Sequence, residues 1–242
     1  MPTAISVKNV SMHFNMSKEK IDSLKEYFIK IVKRNLHFEK FVALNNVSVD
    51  IEKGDVFGIV GLNGCGKSTL LKVISGILKP TEGNIEVNGT ISPLIELGSG
   101  FDMELTAREN IFLNGSVLGH SKKFLQDQFD DIVSFSELEE FLDVPMKNYS
   151  SGMVARLGFA VATLTKPDIL IVDEILAVGD FRFQEKCEMR INEMMSNGTT
   201  VIIVSHSIEQ IERLCNKVMW LEKGQVKMIG EALNICSSYK TQ

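Results

Sequence analysis

The 242-residue sequence is sparing with cysteine, and its four (Cys65, Cys187, Cys215 and Cys236) show neither C-x-x-C spacing nor a paired-histidine pattern. That speaks against a zinc site or a disulfide framework, and free thiols suit a reducing compartment. No apolar run reaches the ~18–20 residues of a membrane span. The opening MPTAISVKNV lacks the long apolar stretch of a signal peptide. The chain is therefore expected to be soluble, with any membrane role supplied through a partner. There is no basic excess either: the net charge of −5 argues against a dedicated nucleic-acid binder, which usually carries a basic face. Internal repeats and low-complexity segments are also missing.

What is present suits an ordinary globular protein. Hydrophobic residues make up 44% and charged residues 24%, enough for a sizeable core in one large α/β domain or two small lobes. Residues 5–14 alternate as an edge strand would. Ile21, Leu24, Phe28 and Ile31 then recur at helical spacing within 18–34, which predicts an inserted amphipathic helix. FVALNNVSVDI reads as a strand, VFGIV (56–60) as a buried parallel strand, and KSTLLKVISGIL as a helix. Asn88-Gly89 is expected to close a short hairpin. From about 105 to 165 the pattern is mostly helical. Thr106 to Glu109 forms a capping box, and Phe124, Leu125, Phe129, Ile132 and Val133 share one face of 121–135. ILIV (169–172) ends in two acids and VIIV (201–204) in Ser-His. Strands alternating with helices, with chemistry at the strands' carboxyl ends, predict an open parallel sheet.

The chemistry starts at Gly61-Leu62-Asn63-Gly64-Cys65-Gly66-Lys67-Ser68, a full G-x-x-x-x-G-K-[ST] motif between an apolar strand and a helix. Glycines let backbone N–H groups turn inward around phosphate oxygens, and the following helix aims its N-terminal dipole at the anion. Lys67 would neutralise β/γ-phosphate charge, and the Ser68 hydroxyl, with Thr69 behind it, would serve Mg²⁺ and the nucleotide. Asp173 at the end of ILIV can hold Mg²⁺, and Glu174 can orient or deprotonate an attacking water. Taken alone, the same two acids also read as a solvated strand terminus.

These pieces and their order resemble the nucleotide-binding subunit of ABC transporters over essentially the whole chain. The resemblance implies an α/β P-loop NTPase (RecA-like) core with a mixed sheet, a small antiparallel β subdomain and an inserted helical subdomain. Tyr149-Ser150-Ser151-Gly152-Met153 stands where the family carries L-S-G-G-Q, with Ser150 and Gly152 matching and Ser151 and Met153 departing. In the family this segment contacts the γ-phosphate of the ATP held by the opposite subunit; an isolated S-S-G would otherwise be a plain helix cap. Asp180 matches the family's D-loop aspartate and His206 its switch histidine. Phe14 takes the aromatic position that stacks on adenine, where a first-strand Phe could equally be packing. Glu96 falls near the usual Q-loop glutamine, a departure that leaves a carboxylate able to serve Mg²⁺.

Y-S-S-G-M, I-L-A-V-G-D and E-L-G-x-G-F together look like the polysaccharide-export branch, whose members move lipid-linked O-antigen, capsule or teichoic-acid polymers. The resemblance implies one nucleotide-binding domain over 1–242. Residues 1–95 and 166–242 would form the β subdomain and catalytic core, 96–165 the helical subdomain, and 15–40 an amphipathic insertion. The implied cofactors are ATP and Mg²⁺; the implied partners are an integral membrane permease and a second copy of the chain, with no nucleic acid. The implied location is peripheral, on the cytoplasmic face of the cell membrane. Residues 18–34 carry six basic and three acidic side chains, so this helix suits either an anionic lipid surface or packing of its apolar stripe on the domain. With the chain ending at Gln242, no C-terminal carbohydrate-binding domain of the kind some relatives carry is expected. The alternative is a soluble ABC ATPase acting on nucleic acid or ribosomes, but such relatives generally have two fused nucleotide domains or a long coiled-coil insertion. A silent nucleotide sensor is disfavoured by the intact Lys67, Asp173 and Glu174.

Overall fold

A computed structural model describes residues 2–17, 38–94, 98, 100–173, 180–205 and 207–241. In chain order, β1 (Thr3–Ser17), β2 (Phe38–Glu52) and β3 (Val56–Val60) lead into α1 (Lys67–Ile74), β4 (Glu82–Val87) and β5 (Ile91–Leu94). A helical stretch follows: α2 (Ala107–Val117), α3 (Lys122–Asp127), α4 (Phe129–Ser136) and α5 (Ser151–Ala162). Then β6 (Ile169–Asp173), α6 (Phe181–Ser196), β7 (Thr200–Val204), α7 (Ile208–Leu214), β8 (Lys217–Glu222), β9 (Gln225–Glu231) and α8 (Ala232–Lys240) complete the chain. The amphipathic helix expected over 18–34 lies outside the described residues.

The strands form two sheets. One is antiparallel, in the order β2-β1-β4; the other runs β5-β6-β7-β3-β8-β9. In the second, β5 to β8 are parallel and β9 adds an antiparallel edge. The near-continuous apolar runs read as buried strands because both faces of this sheet are covered. Phe57, Ile59, Ile169, Ile171, Ile202, Val204, Met219 and Leu221 face one core, shared with α1 and the smaller sheet. Their alternates Val60, Leu170, Val172, Val201, Ile203, Val218 and Trp220 face the second core, under the helices. The period of two along each strand divides the side chains between the two cores. Gly58 has no alternate side chain to offer: a Cβ there would meet Ile211 Cγ2 at 2.8 Å and Val218 Cγ2 at 3.0 Å. Its absence lets α7 lie directly on β3.

Three sequence expectations change. β1 is the central strand of its sheet rather than an edge, paired on both sides by β2 and β4. Asn88-Gly89 closes no hairpin, because β4 pairs with β1 whereas β5 pairs with β6. Instead the chain crosses there from one sheet to the other. Gly89 permits the crossing at φ 139°, where a Cβ would sit 2.5 Å from Asp168 Cβ. The helix expected over 121–135 is two, broken at Gln128, and Phe129 stacks on Phe112 with centroids 5.8 Å apart. The capping box forms as expected: Thr106 Oγ1 accepts from Glu109 N, and Glu109 accepts from Thr106 N at 2.8 Å.

Candidate functional site

The glycine-rich loop joins the carboxyl end of β3 to the first turn of α1. Gly61, Gly64 and Gly66 have φ of 154°, 76° and 110°, conformations that side chains with a Cβ seldom adopt. Two of them are also pressed against their surroundings. A Cβ on Gly61 would lie 2.2 Å from Leu221 O, and one on Gly66 2.6 Å from Ala43 O. Gly66 caps α1 without a side-chain hydrogen bond, so no capping side chain occupies the helix's first-turn amides. Lys67 is only 7% exposed. Its ammonium donates to Gly61 O at 2.7 Å and Leu62 O at 3.2 Å, so it lies back along the loop it follows. Leu62, Asn63, Gly64 and Ser68 are exposed, Thr69 is half-buried, and Cys65 is buried beneath them. The result is a cradle of backbone with one cation in it, a set of groups that fits a phosphate chain.

Asp173 ends β6 half-buried, in register with Val204 of β7, which in turn lies beside Ile59 of β3. With strands ~4.8 Å apart, Asp173 stands about two strand spacings from the root of the loop, on the same edge of the sheet. A carboxylate and the Ser68 hydroxyl on one rim are the hard oxygen donors that Mg²⁺ takes. Glu96, Glu174 and His206 lie outside the described residues. Phe14 is half-buried against the core shared with the smaller sheet and pairs with Phe41 of β2. It lies two residues, ~7 Å, along β1 from Met12. Met12 pairs with Leu44, whose Cδ2 would lie 2.9 Å from a Cβ on Gly66.

The second glycine-bearing turn is built differently. Ser150 is the N-cap of α5, and its Oγ accepts from Met153 N at 3.2 Å. Ser150 and Ser151 are exposed, and a Cβ on Gly152 would meet nothing nearer than Ser150 Oγ at 3.8 Å. Tyr149 anchors the turn by donating its hydroxyl to Phe141 O at 2.7 Å, and burial raises its pKa. Asp180 is the N-cap of α6, accepting from Arg182 N at 3.0 Å and Phe183 N at 3.1 Å. The Phe183 amide, then Arg156 and the Arg182 amide, hold its carboxyl below the usual range. Arg156 of α5 pairs with Asp180, joining this turn to α6.

Sequence reasoning passes over several residues that support these segments. The β8–β9 turn at Lys223-Gly224 lies under the phosphate loop, with Gly224 N donating to Cys65 O at 2.9 Å and Asn45 N to Gly224 O at 2.8 Å. A Lys-Gly pair between alternating apolar runs is a turn signal that could have drawn notice. Asn110, fully buried, accepts from Asp102 N at 2.8 Å and donates to Asp102 O at 2.8 Å and Thr106 O at 3.0 Å. It thereby holds the loop in front of α2. Arg156 and Glu137 carry no local signal, because their meeting depends on the packing of three helices.

Comparison with known proteins gives one answer. The family model described as ABC transporter matches residues 44–177. The O-antigen export system ATP-binding protein RfbB of Klebsiella pneumoniae is 45% identical over 201 residues, covering 83% of this chain and 82% of that protein. The teichoic acids export ATP-binding protein TagH of Listeria innocua is 39% identical over 235 residues, 97% of this chain and 69% of that protein. Among solved structures, a dimeric ATP-binding cassette in a post-hydrolysis state bound to ADP and Pi superposes with a TM-score of 0.75. At 23% identity over 94% of this chain and 98% of that one, it shares the fold.

Proposed function

The chain belongs to the ABC transporter family, and from that premise we propose that it is the ATP-hydrolysing subunit of an exporter of lipid-linked cell-surface polysaccharide. The observation that carries the nucleotide reading is the loop: two glycines with no room for a Cβ, and Lys67 held 2.7 Å from Gly61 O. In this reading the backbone of Gly61–Gly66 wraps the phosphates, Lys67 offsets their charge, and Phe14 packs on the base. Ser68, Asp173 and Glu96 would hold Mg²⁺, which when bound neutralises charge on the β- and γ-phosphates. Glu174 would accept the proton of the attacking water, and His206 would steady the γ-phosphate side of the site. Ser150, Ser151 and Gly152 of one copy would close over the nucleotide gripped by the other. Asp180 would line the same seam.

The division into a β subdomain with catalytic core (1–95 and 166–242), a helical subdomain (96–165) and an insertion (15–40) goes with this reading. ATP supplies contacts present only in the closed pair, which is what a ligand needs in order to shift a conformational equilibrium. Closure would be passed to an integral membrane permease at the cytoplasmic face. The relatives named for O-antigen and teichoic acid export favour this over a soluble ATPase acting on nucleic acid or ribosomes.

Phosphate release by the purified chain tests the enzymatic part. Loss of turnover in Glu174→Gln is expected, and equal release by both chains overturns the assigned base. Depleting the chain in cells tests the cargo: lipid-linked polymer should accumulate inside as surface polymer disappears. Unchanged surface polymer overturns the export reading.

A further inference from the structure

Outside the phosphate loop, a side chain that joins separate pieces of the fold is Arg156, in the second turn of α5. Its guanidinium donates to Glu137 Oε2 at 3.0 Å, forms a short ion pair with Asp180, and lies 4.8 Å from the centroid of the Phe183 ring. A planar fork can hold two carboxylates while stacking on an aromatic face, which a lysine ammonium cannot do. The three partners come from two helix ends. Glu137 closes α4, Asp180 caps α6, and Phe183 lies in the first turn of α6.

Glu137 holds its place at a conformational cost. Its φ is 58°, where a helix normally ends on glycine or asparagine. Its carboxylate accepts from Arg156 and also from Lys186 Nζ at 3.2 Å. Lys186 further donates to Ser134 O at 3.0 Å and Phe135 O at 2.9 Å, tying α6 back to the end of α4. Phe135, Phe159 and Phe183 pack against one another beneath these charges, with centroids 5.6–6.4 Å apart. The Ser150 turn stands six residues before Arg156 on the same helix, ~9 Å along its axis.

We infer that Arg156 is a positioning residue that locks the Ser150–Gly152 turn to the Asp180 cap of α6, so that the two segments move as one body. The inference rests on the reading above, in which both segments meet nucleotide at the seam between two copies. If they are locked, engagement of one nucleotide sets the geometry presented to the other. Energetic coupling between sites needs such a packed element. Arg156 touches no reacting atom in this role; it acts through Ser150 and Asp180.

The test uses the full-length chain and two readouts, the ATP dependence of phosphate release and amide hydrogen exchange with and without ATP. The wild type is expected to show a Hill coefficient above one, and ATP should slow exchange together in 150–156 and 181–186. The Arg182 and Phe183 amides, bonded to Asp180, report the cap directly. Arg156→Ala should bring the Hill coefficient to about one, raise the apparent KM several-fold, and leave ATP protecting only one of the two segments. Arg156→Lys keeps charge and stem and so guards against misfolding; it should give an intermediate loss. Glu137→Gln, away from the nucleotide, should shift cooperativity in the same direction and add nothing once Arg156 is gone. A folded Arg156→Ala chain that keeps cooperativity and joint protection overturns the inference. A wild type that releases no phosphate and is protected in neither segment overturns the functional reading, and this inference with it.

Discussion

Lys67 sets its ammonium 2.7 Å from the carbonyl oxygen of Gly61, six residues back, so the cation of the loop is held by the loop's own backbone. Both residues are positioned by the fold before any phosphate arrives: Gly61 by the backbone of Leu221, and Lys67 by near-complete burial. Lys67→Met keeps the apolar stem and removes the charge. A loss of phosphate release of about 10²-fold or more is expected, by comparison with removal of one preorganised donor from a charged transition state. Thermal unfolding should move by only a few degrees. Full turnover in a folded Lys67→Met chain contradicts the role.

Gly66→Ala tests the shape of the cradle rather than its charge. The new Cβ would sit 2.6 Å from Ala43 O at φ 110°, so β2 or the loop must shift. Left-handed backbone alone costs an L-residue ~1–2 kcal/mol. Urea unfolding should register a loss of at least that size, with nucleotide affinity falling in parallel. A stability change near zero would mean that the loop is looser than its contacts imply.

Two carboxylates predict how stability responds to acid. Asp168 accepts from the backbone and hydroxyl of Thr90 at 2.8 and 2.9 Å, and Glu109 from the backbone and hydroxyl of Thr106, both at 2.8 Å. In each case the backbone N–H first, then the hydroxyl, holds the carboxyl below its ordinary value. A group whose pKa is lowered by folding stabilises fully above its unfolded value, near ~4. That contribution is lost as the pH falls through the folded value. Asp168→Asn should therefore be less stable than the wild type at pH 7, with the gap narrowing by pH 3 in chemical unfolding. A gap independent of pH contradicts the assignment.

All four cysteines are buried, and burial pushes the thiols of Cys187 and Cys215 up to about 12. Thiolate, the reactive form, is then scarce at ordinary pH. A disulfide reagent at pH 8 should label neither residue in the native chain and all four cysteines once it is unfolded. Rapid native labelling of Cys187 would show that α6 opens far more readily than its packing allows.

Much of this was legible in the sequence where structure is local. VFGIV, ILIV and the glycine loop stand where their patterns place them, because a strand buried on both faces and a loop needing positive φ each leave a compositional trace. The Thr106 cap is equally local. What was missed is decided by chain segments far apart in sequence. β1 is central because β4, some seventy residues later, pairs with it, and Asn88-Gly89 crosses between sheets because Asp168 approaches it. Gln128 breaks a periodic helix so that Phe129 can reach Phe112. Arg156 meets Asp180 and Glu137 only after α4, α5 and α6 pack together, so no window around it announces its partners.

The most direct measurement is sedimentation of the hydrolysis-blocked Glu174→Gln chain with and without ATP, alone and combined with Ser150→Arg. The expected result is a two-copy species that appears with ATP and disappears in the double variant, while ATP still binds each single copy with affinity within a few-fold of the parent. A pair that forms equally well with arginine at position 150, or a chain that stays single at saturating ATP, would contradict a nucleotide held between the phosphate loop of one copy and the Ser150 turn of the other.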